Sequence, residues 1–404
     1  MKSVELFAGA GGLAMGVGLA GFEPLAVVEW DKWACDTLRE NGRLGYPLVA
    51  NWSVFEGDVR AYDWSGLSEQ VDLVAGGPPC QPFSMGGKHR AYDDSRDMFP
   101  ATVEIVRKLR PRAFIVENVK GLTRTAFANY YQYILLQLEF PEVPRKKKED
   151  WFEHLQRLQK EKTSGRLHGN GLTYNVIPTL VNAANFGIPQ KRERVFIVGF
   201  RSDLGVQWSF PKETHGLDAL LYQQWVSGEY WDRHKISTKM RPLQPQKYAA
   251  RLHRLVADKG CLLPWRTTRD ALIGLPDPAS RAAKDFLNHK FQPGAKVYPG
   301  HTGCVLDMPA KTLKAGDHGV PGGENMMVKD DGSVRYFSVR EAARIQTFPD
   351  SFKFHGSWTE TMRQLGNAVP MMLARTVAAS VAERLLISDM LSLSRAQKRM
   401  KGVA

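Results

Sequence analysis

Short apolar runs alternate with amphipathic stretches along the first two hundred residues. The apolar runs predict strands, and the stretches between them predict helices. The predicted strands are at residues 3–7, 24–29, 71–75 and 113–116, and the predicted helices are at 13–20, 32–40 and 101–109. This alternation is typical of βαβ units, so we expect an α/β fold with a doubly wound, mostly parallel sheet.

Two further apolar runs, at residues 174–181 and 194–200, are expected to pair in antiparallel fashion at one edge of the sheet. Between residues 144 and 171 the chain is charged, helical in its middle, and then rich in Gly and Ser, which predicts a surface insertion. Its three consecutive lysines are either a solvated face or a contact to phosphate.

From residue 201 to about residue 335 the periodicity weakens, and the chain ends in an apolar helix predicted from about 370 to 386. A length of 404 residues exceeds what one hydrophobic core usually serves. We therefore predict a large domain at residues 1–200, to which 356–404 return, and a smaller irregular domain at 201–355.

The net charge of +13 favours a polyanionic partner, and nucleic acid fits best. The four cysteines are far apart, which argues against a disulfide framework or a zinc cluster and favours a reducing compartment. The histidines lack metal-ligand spacing, so we expect no metal. There is no apolar run of membrane-spanning length, so we expect a cytoplasmic protein with no membrane partner.

A glycine-rich turn in ELFAGAGGLAMG joins the first strand to the first helix and leaves backbone N–H groups bare for a ligand. Glu29 lies at the end of the next strand, twenty residues beyond Gly9, where an acidic side chain suits the hydroxyls of a ribose. The alternative is a turn that only permits tight strand–helix packing. Asp58 follows a third strand-like run and is either an acceptor for an adenine amino group or an ordinary Asx turn.

Cys80 follows the fourth strand in VDLVAGGPPCQPFS, behind two glycines and two prolines that stiffen its approach. Such a thiol is a candidate nucleophile, although it needs a positive local field to ionise near neutral pH. The alternative is a buried cysteine that packs as a small apolar side chain. The polar neighbours Gln81 and Ser84 favour the nucleophile.

Two further motifs bring charge to the same region. The run AFIVENVKGL delivers Glu117 and Asn118 to the carboxyl edge of the sheet, and QKRERV carries Arg192 and Arg194 at a strand start. Period-two spacing predicts that both arginines lie on the same side of that strand. Taken singly, each of these groups could be a solvated charge or a member of an ion pair.

The motifs LFAGAGG, GGPPCQPFS, ENV, QKRER, REAARIQTFPD and QLGNAVP occur in the order seen in DNA (cytosine-5)-methyltransferases, and the chain resembles the prokaryotic form of that family. The resemblance covers about residues 3–200 and 335–380. The stretch between these two blocks resembles the family's target recognition domain only by its position and by the dipeptide Thr312-Leu313. The resemblance implies a sheet of the S-adenosylmethionine-dependent methyltransferase type, a catalytic and cofactor-binding domain at 1–200 with 356–404, and a target recognition domain at 201–355.

The resemblance also implies the catalytic roles. Cys80 would attack carbon-6 of cytosine, and Glu117 would hold the ring at N3 and the exocyclic amine. Arg194 would bond the cytosine O2, and Arg192 would hold the catalytic loop or a phosphate. The implied cofactor is S-adenosylmethionine, which leaves as S-adenosylhomocysteine. Its expected contacts are Phe7, Gly9, Gly11, Glu29, Trp30, Asp58, Val59, Pro79, Met98 and Asn367, with Phe7 and Trp30 beside the adenine and Asn367 reaching back from near the C-terminus.

The implied substrate is double-stranded DNA from which the cytosine is flipped, since its carbon-5 is inaccessible in the stacked duplex. Residues 81–97 have the composition of a mobile lid, although Gly86 stands where the family often has a serine. The expected DNA contacts are Gln81, Ser84, Lys88, Arg90 and Thr312. We expect a stand-alone monomer that partners with a cognate restriction endonuclease.

Two alternatives use the same scaffold. An RNA cytosine methyltransferase would have a small recognition region and a Cys-Phe-Thr segment, which this chain lacks. A catalytically silent DNA-binding regulator would have lost the nucleophile or its partners, whereas Cys80, Glu117 and Arg194 are all present.

Overall fold

The computed structural model describes residues 1–67, 71–79, 97–165, 171–257, 260–299, 302–315 and 325–401. Two compact units divide the chain: unit 1 comprises residues 1–181, 193–211 and 374–404, and unit 2 comprises 182–192 and 212–373. These units are defined by compactness alone, so the division into catalytic and recognition domains stays a prediction.

Unit 1 is built on a seven-stranded sheet with the order β3-β2-β1-β4-β5-β7-β6. Its strands are β1 Lys2–Leu6, β2 Glu23–Glu29, β3 Val54–Glu56, β4 Leu73–Gly76, β5 Ala113–Val119, β6 Tyr174–Asn182 and β7 Glu193–Arg201. Strands β1 to β5 pair in parallel, and β7 runs antiparallel to β5. The predicted α/β fold with a mostly parallel sheet is confirmed, and β6 and β7 are neighbours at the edge.

The helices of unit 1 lie between the strands, as the alternating pattern predicts. They are α1 Gly12–Leu19, α2 Lys32–Arg43, α3 Phe99–Leu109, α4 Ala128–Glu139 and α5 Trp151–Ser164, with short 3-10 helices at Ser65–Leu67, Lys120–Thr123, Thr125–Phe127 and Ser202–Leu204. Apolar strand residues such as Val4, Val74 and Val116 pack against Phe99 and Ile134 from the helices. The core therefore lies between the sheet and its helices, and it holds the strand ends in fixed positions.

The carboxyl ends of β1 to β5 meet at one edge of the sheet. Strand β1 pairs with β4, although the chain passes through β2 and β3 between them. This reversal of strand order is the place where ligands bind in open parallel sheets. The turns after β1 and β4, which carry the glycine-rich and Gly-Gly-Pro-Pro motifs, flank it.

Helix α5 lies in the segment predicted as a surface insertion, but one of its faces is buried. Asp150 caps its first turn, and His154, Leu155 and Leu158 are buried. The His154 ring bonds the Tyr133 hydroxyl at 2.9 Å and the Val143 carbonyl at 2.8 Å. The helix is thus packed onto unit 1 and is not only a solvated face.

Unit 2 consists of short elements, which explains its weak periodicity. Its strands are β8 His215–Gly216, β9 Leu263–Pro264, β10 Cys304–Val305, β11 Met326–Val328 and β12 Val334–Tyr336, and its helices are α6 Leu217–Trp225, α7 Glu229–Arg233, α8 Ala249–Ala257, α9 Thr268–Leu272, α10 Val339–Ile345 and α11 Trp358–Asn367. Short 3-10 helices lie at Ala183–Phe186, Thr238–Met240, Gln246–Tyr248 and Arg281–Asp285. The last helix of the chain, α12 Met371–Lys401, continues beyond the predicted end at 386.

Aromatic side chains form much of a core cluster in unit 2. Tyr230, Trp231 and Trp265 form a core cluster with Ala184 and Leu220. This arrangement fits a unit that has little regular structure to pack, because large rings bury much area per residue. None of the helices in the described parts of the chain is long and apolar enough to cross a membrane.

Candidate active site

The turn after β1 adopts backbone conformations that favour glycine. Gly9 and Gly11 have φ of 54° and 87°, and Phe7 between strand and turn has φ of 52°. A Cβ added to Gly11 would lie 2.9 Å from a methyl group of Leu38, whereas one added to Gly9 would meet no atom within 4 Å. Glycine is therefore required at position 11 by conformation and space, and open space lies beside Gly9.

The Glu29 carboxylate ties the ends of β1 and β2 together. It accepts hydrogen bonds from the backbone N–H groups of Gly9 at 2.7 Å, Trp30 at 2.9 Å and Asp31 at 2.7 Å. Burial raises the pKa of Glu29, and these three donors oppose the rise. The residue predicted for the ribose thus also orders the glycine-rich turn.

Two aromatic side chains lie at the same edge. The Trp30 indole is 75% exposed, next to the buried Glu29 carboxylate. Phe7 is half-buried and packs against the core. An indole held open to solvent at this edge is available to stack on a flat ligand.

Asp58 and Val59 follow β3. The Asp58 carboxylate accepts from the backbone N–H of Arg60 at 2.8 Å and pairs with its guanidinium at 2.5 Å, which lowers the pKa of Asp58. The Asx turn considered as the alternative is therefore present. The Val59 side chain is buried in the core, and its carbonyl accepts from the Trp64 indole N–H at 3.0 Å.

Gly76, the last residue of β4, and Gly77, which follows it, are in close contact with neighbouring groups. A Cβ on Gly76 would lie 2.8 Å from the carbonyl oxygen of Leu6, and one on Gly77 would lie 3.2 Å from Oε2 of Glu117. Neither glycine has a positive φ, so space and not backbone conformation disfavours a larger residue. At Gly76 the obstacle is the backbone of Leu6, whereas at Gly77 it is the Glu117 carboxylate, which would have to shift by a few tenths of an ångström. The motif thereby lets the chain before Cys80 pass directly beside the Glu117 carboxylate.

The chain on either side of residues 80–96 is held by hydrogen bonds. The Asn118 amide donates to the carbonyl of Pro78 at 3.0 Å, and the backbone N–H of Met98 reaches the carbonyl of Pro79 at 3.4 Å. Asn118 thus holds the segment before residue 80, a contact that the sequence analysis did not predict beyond placing Asn118 at the sheet edge. The predicted residues Cys80, Gln81, Ser84, Lys88 and Arg90 lie outside the described residues.

Glu117 and Arg194 form a buried ion pair. In the antiparallel pairing of β5 with β7, Arg194 is opposite Val119, so it is a diagonal neighbour of Glu117 on the same face. Arg194 Nε lies 2.9 Å from Glu117 Oε1, and the Arg194 side chain also donates to the Glu193 carbonyl at 2.8 Å. Burial lowers the pKa of Arg194, and the Glu117 carboxylate opposes that change.

Arg192 has a different environment. It is fully buried in unit 2, and its guanidinium donates to the carbonyls of Leu313 at 3.2 Å and Gly366 at 2.8 Å. Strand β7 begins only at Glu193, so the alternation that predicted a shared side for the two arginines does not include Arg192. A buried guanidinium needs several acceptors, and here it uses them to join two distant segments.

The remaining predicted residues also lie in unit 2. The Thr312 hydroxyl donates to the Lys191 carbonyl at 2.7 Å. Asn367 is exposed at the end of α11. A Cβ on the preceding Gly366 would lie 2.3 Å from the backbone nitrogen of Ala315. Glycine at this position therefore allows the two backbone segments to come into contact. Within the described residues, no group of three or more His, Cys, Asp or Glu side chains could hold a metal ion.

Comparisons with known proteins identify the family to which the chain belongs. The sequence model of the family described as C-5 cytosine-specific DNA methylase matches residues 1–141 and 160–383. The unmatched residues between these blocks fall largely in the predicted insertion.

Two relatives extend over nearly the whole chain. Type II methyltransferase M.PspPI of Psychrobacter sp. (strain TA137) is 31% identical over 95% of this chain and 79% of its own length. Type II methyltransferase M.NgoPII of Neisseria gonorrhoeae is 28% identical over 95% of this chain and 96% of its own length.

Solved structures share the fold. A putative DNA modification methyltransferase encoded within an Escherichia coli prophage superposes with a TM-score of 0.57 at 20% identity, covering 95% of this chain and 99% of its own. The Dnmt2 methyltransferase of S. pombe superposes with a TM-score of 0.54 at 15% identity, with coverage of 95% and 99%. With the family model matching most of its length, the chain belongs to the C-5 cytosine-specific DNA methylases and is a DNA (cytosine-5)-methyltransferase.

Proposed function

We propose that this enzyme transfers a methyl group from S-adenosylmethionine to carbon-5 of a cytosine flipped out of a specific duplex DNA sequence, through a covalent bond to Cys80. The observation that carries the proposal is the buried Glu117–Arg194 pair, which lies beside the Gly77 segment that leads to Cys80.

The Glu117–Arg194 pair is complementary to one edge of cytosine. That edge presents an acceptor at O2, an acceptor at N3 that becomes a donor once protonated, and an amine donor. A guanidinium donates to O2, while a carboxylate accepts from the amine and from protonated N3. Thymine would place a second carbonyl oxygen against the carboxylate, so this pair favours cytosine.

The chemistry assigned to Cys80 follows from the electron demand of the ring. The thiolate adds to carbon-6 while N3 takes up a proton, which makes carbon-5 nucleophilic. Carbon-5 then forms its bond to the methyl group while the bond from that methyl group to the sulfonium sulfur breaks, which leaves S-adenosylhomocysteine. Loss of the carbon-5 proton to a base, expulsion of the Cys80 thiolate and release of the N3 proton restore the aromatic ring. Glu117 stabilises the protonated N3 throughout, and Asn118 holds the segment before Cys80 by its bond to Pro78.

The residues at the sheet edge fit the proposed cofactor. Open space beside Gly9, the exposed Trp30 indole and the buried Glu29 carboxylate together suit a nucleoside with a charged side arm. S-adenosylmethionine supplies an electrophilic methyl group when bound. The residues proposed to hold it are Phe7, Gly9, Gly11, Glu29, Trp30, Asp58, Val59, Pro79, Met98 and Asn367. Val59 would contribute through its backbone, since its side chain is buried.

The relatives' designation as Type II methyltransferases supports a role in restriction and modification. We propose duplex DNA as the substrate, a cognate endonuclease as functional partner, a monomeric enzyme, and action in the bacterial cytoplasm. The proposed DNA contacts are Gln81, Ser84, Lys88, Arg90 and Thr312. The RNA alternative is not favoured, because the matching family is described by its action on DNA.

Incubation with labelled S-adenosylmethionine and duplex DNA, followed by bisulfite mapping, tests the proposal. We expect label on cytosine within one short sequence and none with Cys80→Ser, which should still bind the cofactor. Label found only on RNA or on adenine would refute the assigned substrate. Undiminished turnover by Cys80→Ser would remove Cys80 from its role.

A further inference from the structure

Asn367 is an exposed residue within a buried stretch of unit 2. Residues 364–366 and 368–371 are buried, whereas Asn367 is exposed at the end of α11. Residues 365–368 are referred to as the Asn367 segment. Because the neighbours of Asn367 are buried, their backbone contacts decide where its side chain lies.

Gln346 holds the Asn367 segment from the end of α10. Its side chain is fully buried, and its amide Nε2 donates to the carbonyl of Leu365 at 2.5 Å and to that of Ala368 at 3.2 Å. The backbone carbonyl of Gln346 also accepts from the N–H of Met371 at 3.1 Å. One residue therefore bonds the chain on both sides of Asn367.

A second buried glutamine fixes the orientation of the first. Gln190 Nε2 donates to Gln346 Oε1 at 3.2 Å, and Gln190 Oε1 accepts from the backbone N–H of Leu313 at 3.1 Å. Each amide nitrogen faces an oxygen and each amide oxygen faces an N–H group, so turning either amide over would set like groups against each other. The two side chains, referred to as the glutamine relay, therefore have one consistent arrangement.

The segments at the two ends of the relay are also joined in other ways. A Cβ on Gly366 would lie 2.3 Å from the nitrogen of Ala315 and 2.5 Å from the carbonyl carbon of Lys314, so the two backbones are in direct contact. The Arg192 guanidinium donates to the carbonyls of both Leu313 and Gly366. The Asn367 segment is thus held from several sides.

The relay contributes direction to this packing and not only volume. A buried amide costs free energy unless its groups are hydrogen-bonded, whereas an apolar side chain of similar size carries no such cost. A fully bonded pair of amides rigidifies its surroundings and specifies one geometry. Here the geometry that is specified is that of the carbonyls on either side of Asn367.

We propose that Gln346 and Gln190 are positioning residues for Asn367, whose side chain they hold in the orientation that binds the cofactor. This proposal rests on the proposed function, in which Asn367 contacts S-adenosylmethionine. Both glutamines are fully buried, so they act through the Leu365 and Ala368 carbonyls and not by touching the cofactor themselves.

Calorimetric titration of the full chain with S-adenosylhomocysteine, together with thermal unfolding, tests the proposal. Asn367→Ala should weaken binding about 5-fold, as expected for the loss of one hydrogen bond. Gln346→Met, which fills similar space without the donors, should weaken binding by the same factor. The two changes together should weaken it no further, because Gln346 acts through Asn367.

Gln190→Met is a second variant that reports on the relay even if Gln346→Met does not fold. It leaves both carbonyl bonds of Gln346 in place but removes the bond that orients the Gln346 amide. It should therefore weaken binding in the same direction, by less than Gln346→Met, and should add nothing to Asn367→Ala.

Gln224→Met is the matched control. Gln224 is also buried in unit 2, and its amide Nε2 donates to the Asp307 carbonyl at 2.6 Å. This substitution should lower the melting temperature but leave the affinity for S-adenosylhomocysteine at the wild-type value. A purely structural role for the relay would give the same pattern in Gln346→Met and Gln190→Met.

Wild-type affinity in the folded relay variants, or losses that add to that of Asn367→Ala, would overturn the proposal. If Asn367→Ala weakens binding and the relay variants do not, only the positioning role fails. If Asn367→Ala binds S-adenosylhomocysteine as tightly as the wild type, the cofactor contact assigned to Asn367 fails together with the positioning role. A wild-type enzyme that does not bind S-adenosylhomocysteine would refute the proposed function itself.

Discussion

Replacing Gly77 by alanine should impair catalysis without unfolding the enzyme. The added Cβ would lie 3.2 Å from Glu117 Oε2, slightly closer than an ordinary van der Waals contact. The backbone of Gly77 tolerates a side chain, because its φ is not positive. The carboxylate must therefore move by a few tenths of an ångström, away from the position set by its 2.9 Å contact with Arg194.

A shift of that size at the edge proposed to bind cytosine should lower kcat by about 10-fold, since a misplacement of about 1 Å typically costs on the order of 100-fold. Single-turnover methylation of the mapped DNA sequence measures the effect on the rate, and thermal unfolding measures the effect on stability. The melting temperature should stay close to that of the wild type.

The neighbouring Gly76 is the matched comparison. Its added Cβ would lie 2.8 Å from a backbone oxygen of Leu6, which cannot rotate away, so Gly76→Ala should lower the free energy of unfolding by about 1–3 kcal/mol. Gly66→Ala, whose Cβ meets no atom within 4 Å, should change neither property. A Gly77→Ala enzyme with wild-type kcat would refute the reasoning that the Glu117 position governs the rate.

Three further outcomes follow from buried or exposed groups. Burial raises the pKa of Glu5 to about 7, so the stability that protonated Glu5 contributes is fully present below the unfolded pKa near 4.5 and is lost as pH rises through 7. The stability gained by Glu5→Gln should therefore grow between pH 5 and 8 in thermal unfolding, and a gain independent of pH would contradict this. Arg192→Met should lower the free energy of unfolding by about 2–4 kcal/mol in urea titrations, because the Leu313 and Gly366 carbonyls lose their donors. A variant as stable as the wild type would show that these two hydrogen bonds do not stabilise the fold. Trp30→Ala should weaken cofactor binding by about 5- to 10-fold in calorimetry with little change in melting temperature, whereas unchanged affinity would exclude the indole from the cofactor site.

Local pattern predicted the regular part of the fold well. The alternation of apolar runs and amphipathic stretches predicted β1, β2, β4 and β5 with the helices between them, because strand and helix periodicities are local properties of a sequence. Helix α4 was not predicted, and α12 continues beyond its predicted end. Unit 2, with strands of two or three residues, offers too few repeats for any periodicity to be visible.

The sequence by itself determined the sheet type, the family and the residues at the carboxyl edge, since motif order and strand ends are written along the chain. Only the tertiary structure decided which of these residues act on one another. The ion pair of Glu117 with Arg194 depends on the register of β5 against β7, and the burial of Arg192 depends on carbonyls more than a hundred residues away. Contacts of this kind arise from strand register and from packing between distant segments, and neither property is encoded in local spacing.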